Sequence, residues 1–256
     1  MPNEYTHTPV SVRDRAAVVL GGTGGIGRQI ALGFAADGAD VVATGRSAEQ
    51  VEEVSASLSE LGASTTEVTC NVRDRDSLVS VRDAAVEAMG GVDVLVYSVG
   101  TIAGGEIGTL PEDQWERTLE IGLTGAYRAI QVFSEVIDEG SIVVISSISA
   151  QVARAQRAAN CSTKAGINGL VRATAVDLGP EVRVNAIAPG FIDTSLLRGA
   201  PANDDVYTDV LTTTPAERIG TPSDLVGAAI YLSSPAAAYT TGSVLTVDGG
   251  YSITTD

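Results

Sequence analysis

Seven short runs rich in valine and isoleucine, separated by longer segments of helical period, constrain this chain more than anything else in it. The runs are AAVVLGG (16–22), DVVATG (40–45), TEVTCNV (66–72), VDVLVYSVG (92–100), GSIVVISS (140–147), VRVNAIAPG (182–190) and SVLTVDGG (243–250). Polar residues interrupt them rarely, as expected of strands buried on both faces. Between them lie helical segments at Ile26–Asp37, Ala48–Leu61, Asp76–Met89, Glu112–Ile137, Lys164–Asp177 and Pro222–Leu232. Strict alternation of this kind implies a three-layer α/β fold, a doubly wound parallel sheet of about seven strands with helices on both faces. A chain of 256 residues, 44% of them hydrophobic, supports one sizeable core, so a single domain over 1–256 is expected, with 1–11 as a flexible tail. The long irregular stretch Asp193–Arg218, with Gly199, Pro201 and Pro215, reads as a lid over a binding site.

Composition removes several kinds of chemistry. His7 is the only histidine and lies in the expected tail, which excludes Ser-His-Asp hydrolysis and most zinc chemistry; no metal site is expected. Cys70 and Cys161 are too few for a disulfide framework and read as free structural thiols. The net charge of -16, from 32 acidic against 16 basic residues, argues against a nucleic-acid partner, because phosphate binding needs a basic face. Lys164 is the only lysine. An acidic surface nearly free of lysine suits a salt-rich cytoplasm, where high salt screens the repulsion between carboxylates. The N-terminal MPNEYTHTPVSVRD lacks the basic and apolar segments of a signal peptide, and no apolar run reaches membrane-spanning length. A soluble, cytoplasmic protein without a membrane partner is the expectation.

Ligands of such a sheet bind beyond the carboxyl ends of its strands. The first strand ends in LGGTGGIG, with glycines at 21, 25 and 27, and a helix follows. Glycines there permit a tight turn and let backbone N–H groups approach a pyrophosphate at the helix N-terminus. Three residues separate the first two glycines, where the ordinary dinucleotide fingerprint has one. This spacing, together with NAIAPGFIDT (185–194), CSTKAGINGL (161–170) and TVDGG (246–250), resembles the short-chain dehydrogenase/reductase family over nearly the whole chain. The resemblance implies a Rossmann fold, a nicotinamide cofactor and a homodimer or homotetramer. It also implies cofactor contacts from Gly21, Thr23, Gly25, Ile26, Gly27, Asn71, Val72, Gly100, Lys164, Pro189, Gly190, Ile192 and Thr194. At the tip of the second strand Arg46 stands where an acid would bind the ribose 2′-hydroxyl, so NADP(H) is favoured, with NAD(H) as the alternative.

The catalytic half of the pattern is altered. In the family a tyrosine donates the proton, a lysine four residues later lowers the tyrosine pKa and holds the ribose, a serine orients the carbonyl, and a helical asparagine anchors a relay water. Ser147 and Lys164 match. The tyrosine position is Asn160, the relay position is Gly122, and the usual Asn-Asn-Ala-Gly after the fourth strand is Tyr97-Ser98-Val99-Gly100. The resemblance implies hydride transfer between nicotinamide and a small carbonyl/alcohol substrate, with Ser147, Lys164, Asn160 and Tyr97 as candidate catalytic residues. Several readings remain open. Tyr97 can be a rebuilt proton donor or an aromatic packed under the cofactor. Ser147 and Asn160 can donate to an oxyanion without acid catalysis, as in an enoyl-type C=C reductase. The chain can be a nucleotide-binding pseudoenzyme, a disabled variant or a non-redox enzyme on the same scaffold. Gly122 is expected to open space beside Tyr97 or a ligand, since glycine inside a helix costs about 1 kcal/mol relative to alanine. Small and apolar residues on two long helices (Ala126, Ala129, Ile130; Ala165, Gly169, Ala173) suggest pairing across a two-fold axis. Ala153, Gln156 and the lid around Tyr207 are expected to line the substrate pocket.

Overall fold

A computed structural model describes residues 8–101, 103–195 and 210–254. Six strands form one parallel sheet in the order β2-β1-β3-β4-β5-β6. They are β1 (Ala16–Leu20), β2 (Asp40–Thr44), β3 (Val94–Tyr97), β4 (Gly140–Ile145), β5 (Val182–Pro189) and β6 (Val244–Val247). The order reverses direction between β1 and β3, which opens a crevice at their carboxyl ends. Alternate residues of each strand feed opposite faces: Val18 and Leu20 enter one apolar cluster, Ala17 and Val19 the other. The first cluster is closed by α3 (Arg75–Met89), α5 (Gly125–Phe133) and α6 (Ala158–Asp177); the second by α1 (Gly25–Ala36), α2 (Ala48–Glu60) and α7 (Val226–Ser233). Burial of these two faces is the main stabilising contribution.

Two expectations change. TEVTCNV (66–72) is not a strand of the ladder among the described residues. It runs beside β2 with isolated bonds, Cys70 N–H to the Gly45 carbonyl and Thr44 Oγ1 to the Val68 carbonyl. Its bonds to β2 are too few to make the regular pairing that joins the six strands of the sheet. The single helix expected over Glu112–Ile137 is α4 (Glu112–Leu119), a π-helical turn (Glu120–Thr124) and then α5, ending at Phe133. Gly122 and Gly125 weaken helix propensity there, and the Tyr97 hydroxyl donates to the Ile121 carbonyl inside the π turn. Of the residues expected to pair across a two-fold axis, Ala126, Ala129 and Ile130 are buried in this chain's own core. Ala165 and Ala173 are exposed.

No helix among the described residues is long and apolar enough to cross a membrane. The expected tail is anchored from Ser11 onward, where the Ser11 hydroxyl and the Val12 N–H both donate to Asp37.

Candidate active site

The glycine loop is shaped by contacts that exclude side chains. Gly21 has φ +80°, and a Cβ there would stand 2.7 Å from the Ser98 carbonyl oxygen. A Cβ on Gly27 would overlap the Gly21 carbonyl, so the third glycine of the pattern serves packing of loop on helix. Helix α1 begins at Gly24 with no side-chain cap and no acidic residue in its first turn. Its free N–H groups and positive dipole end are therefore left for an anion.

Two cavities meet across this loop and share Val99, Gly100 and Thr101. The larger, about 790 Å³, is lined by Gly21, Thr23, Arg46, Asn71 and Val72. It also takes in Arg73, Arg117, Ser47 and Gln50, which sequence reasoning missed. Arg73 and Arg117 lie on different elements, and no spacing rule brings them to Arg46. No carboxylate lines this cavity among the described residues. Cys70 lies in its wall, and burial pushes the thiol up to about 11, with Ser77 opposing through a hydrogen bond and Asp74 adding to the rise.

The smaller cavity, about 300 Å³, brings together Gly25, Ile26, Pro189, Gly190, Ile192 and Thr194 with Ser147, Asn160 and Lys164. Ser147 follows β4 and accepts from the Ser149 N–H at 3.1 Å through Oγ, which leaves its hydroxyl proton free to donate. Its neighbour Ser146 also lines the cavity and donates to Asn168 Oδ1 at 2.7 Å. Asn160 and Lys164 lie one turn apart on the same face of α6. The Asn160 amide has no hydrogen-bond partner among the described residues, and Lys164 Nζ donates to the Ile145 carbonyl at 2.7 Å. Burial lowers the Lys164 ammonium to about 8.

Tyr97 does not join this group. Its side chain is fully buried in the cluster under α3 and α5, its hydroxyl is spent on Ile121, and it lines neither cavity. Burial raises its phenol above the ordinary range, with Cys70 adding to the shift. The strand-end position is correct, but the strand's alternation turns the ring into the core rather than toward the cleft. Gly122 opens no space either: a Cβ there would overlap Cγ2 of Thr163, which fills the gap. Ala153 and Gln156 are exposed and line neither cavity, whereas Phe191 and Ser195 do line the smaller one. Arg154 stacks on the Phe191 ring at 4.7 Å. Of the expected lid, 196–209 with Tyr207 lies outside the described residues, as does His7; Arg218, at the lid's end, is paired bidentately with Asp224.

A family profile described as enoyl-(acyl carrier protein) reductase matches residues 21–252. The sorbose reductase of Schizosaccharomyces pombe is 34% identical over 249 residues, covering 94% of this chain and 97% of that protein. The chain belongs to the short-chain dehydrogenase/reductase family. Its members are NAD(P)-dependent oxidoreductases, and this protein is an enzyme of that kind. The cis-4-hydroxycyclohexanecarboxylate dehydrogenase of Sinomonas cyclohexanicum is 36% identical over 244 residues, covering 93% of this chain and 96% of that one. A solved 7α-hydroxysteroid dehydrogenase, complexed with NADH and 7-oxo glycochenodeoxycholic acid, superposes with a TM-score of 0.90 at 31% identity. That match covers 94% of this chain and 95% of the other.

Proposed function

We propose that this enzyme transfers a hydride between NADP(H) and the carbonyl/alcohol carbon of a small polar substrate, without the family's tyrosine donor. The observation that carries the reading is one continuous cleft that begins at the uncapped N-terminus of α1 and ends on Ser147, Asn160 and Lys164. The residues fit the cofactor, since a loop held tight by Gly21 and Gly27 leaves the uncapped N-terminus of α1 between the two cavities. A bound nicotinamide supplies or accepts the hydride.

The remaining work falls to the chain's own residues. Gly25, Ile26 and Gly27 receive the pyrophosphate, while Asn71 and Val72 flank the adenine. Arg46, with Arg73 and Arg117 beside the same carboxylate-free cavity, favours a 2′-phosphate over a bare ribose hydroxyl, which supports NADP(H) over NAD(H). Pro189, Gly190, Ile192 and Thr194 wall the nicotinamide end. Ser147 and Asn160 donate to the substrate oxygen and stabilise the charge that develops there. Lys164 holds the ribose. Partners beyond the substrate are a second copy of the chain, in a dimer or tetramer built on the exposed face of α6 that carries Ala165, Ala173 and Val176. A cytoplasm rich in salt suits the net charge of -16.

The test is fluorescence titration of NADPH and NADH, followed by turnover on a panel of small ketones and aldehydes in low and high salt, beside Asn160→Tyr. Tight NADPH binding and turnover by the parent support the reading. Binding without turnover until Asn160→Tyr is introduced identifies a disabled site, and absence of cofactor binding overturns the assignment altogether.

A further inference from the structure

Carbonyl reduction needs a proton as well as a hydride, and the smaller cavity offers few sources. Among the described residues that line it, Lys164 alone has a side chain that titrates; the rest are glycine, proline, apolar residues, hydroxyls and the Asn160 amide. Tyr97, the one phenol at a strand tip, is sealed in the core. An amide cannot release a proton near neutrality, and a serine hydroxyl is a poorer acid than an ammonium. Among the described residues Nζ of Lys164 makes a single hydrogen bond, to the Ile145 carbonyl, so two of its three protons remain to be given. Asn160, whose side chain is shorter than a tyrosine's, lies one turn before Lys164 on the same face of α6, and both line this cavity.

We propose that Lys164 is the proton donor and acceptor of this enzyme and not only the holder of its ribose. In the reductive direction the carbonyl carbon accepts a hydride, with its electron pair, from the reduced nicotinamide. The C=O π pair moves to oxygen, an Nζ–H bond breaks, and its proton forms the alcohol O–H. Lys164 is left as a neutral amine and regains its proton from water; oxidation runs the same steps backward. The inference rests on the proposed hydride transfer.

The surroundings let the amine change charge. Burial alone lowers the ammonium to about 8, and no charged neighbour contributes. The titratable groups on the elements packed around it are Cys161, Arg172 and Asp177 on α6, Glu112, Asp113, Glu116 and Arg117 on α4, and Glu120 on the π turn; Arg183 lies on β5. Glu120 is taken by Arg128, and Arg183 donates to the Leu232 and Ser234 carbonyls. The turn after Ser147, Ile148–Ala150, carries no charge.

Because Lys164 is the only lysine, the test needs no assignment. Protein labelled with ¹⁵N-lysine shows one Nζ resonance, which is titrated in the free protein and in its NADP⁺ complex. Single-turnover reduction of the best ketone is then followed with NADPH over the same pH range. The expected result is a reduction rate that falls about tenfold per pH unit above the midpoint of the Nζ resonance in the complex, and an oxidation rate that rises through that midpoint. Lys164→Arg, which keeps the charge but holds its proton, should lose about 10²–10⁴-fold in reduction rate at saturating NADPH. Adding Asn160→Tyr to Lys164→Arg should restore part of that loss by bringing back a phenol.

A reduction rate that stays flat while Nζ titrates overturns the proposal, as does a Lys164→Arg rate within about tenfold of the parent. So does a parent that binds NADPH but reduces nothing until Asn160→Tyr is added. Absence of NADPH binding by the parent is a different failure, of the oxidoreductase reading itself.

Discussion

At Gly122 helix propensity and packing pull in opposite directions, and the sign of Gly122→Ala tells which one placed a glycine there. Propensity alone says that alanine stabilises a helix interior by about 1 kcal/mol over glycine. In the fold, a Cβ on Gly122 would come closer than 3 Å to Cγ2 of Thr163, and both residues are buried. Thr163 is β-branched and sits within α6, so its χ1 has few alternatives. Forcing a methyl into such a contact costs about 1–3 kcal/mol. The difference leaves Gly122→Ala between neutral and about 2 kcal/mol destabilised. In a Thr163→Ala background the clash is absent, and the propensity gain of about 1 kcal/mol should return. The coupling between the two substitutions is therefore about 1–3 kcal/mol. Urea unfolding of the four proteins of the cycle, with slopes compared to confirm one transition, measures it. A coupling below about 0.5 kcal/mol, or Gly122→Ala more stable than the parent by about 1 kcal/mol, refutes the argument that this glycine serves the approach of two helices.

Tyr97→Phe removes a buried hydrogen bond to the Ile121 carbonyl without emptying the core, so stability should fall by about 1–2 kcal/mol while NADPH binding and turnover stay near the parent's; a collapse of turnover at unchanged affinity contradicts a structural role. Arg46→Ala should weaken NADPH binding by about tenfold or more and leave NADH nearly unaffected, as read by the two fluorescence titrations; equal losses contradict a 2′-phosphate contact. Cys70 should react with iodoacetamide far more slowly than Cys161 at neutral pH, because its buried thiol titrates at about 11 while Cys161 is half-exposed; peptide mapping of alkylated protein checks the ratio. Lys164→Met should raise the melting temperature of the cofactor-free protein at neutral pH. Burial lowers the folded ammonium to about 8 against 10.5 for a free lysine, so the unfolded chain binds more protons between these values and parent stability rises with pH across that window. Below pH 8 the penalty is present in full, at most about 3 kcal/mol and less for a partly buried side chain. The advantage of Lys164→Met should vanish by about pH 10.5, and an advantage that does not shrink with pH contradicts the cause.

The glycine loop was legible because its requirements are local. A tight turn with φ +80° at Gly21 and a helix N-terminus without a side-chain cap are properties of a few consecutive residues. The position of Arg46 belongs to the same class, since it follows Thr44, the last residue of β2, by two places. Arg73 and Arg117 were not legible, because they reach the cavity from the segment before α3 and from α4, and their convergence depends on how two layers are stacked.

The alternation of apolar runs and helical segments determined the doubly wound sheet, its parallel sense and the crevice at the strand ends, because hydrophobic period and glycine placement act over a few residues. The resemblance to short-chain dehydrogenases/reductases implied that Ser147, Asn160 and Lys164 share a site, and all three line the smaller cavity. Only the tertiary structure decided what Tyr97 and Gly122 are for. A strand tip has two faces, and the one that receives Tyr97 is set by the pleat of β3 against α5. The space that glycine leaves at 122 belongs to whichever neighbour arrives first, and here Thr163 of α6 takes it. With that phenol in the core and that space closed, Lys164 is left as the one titrating group among the described residues of the smaller cavity.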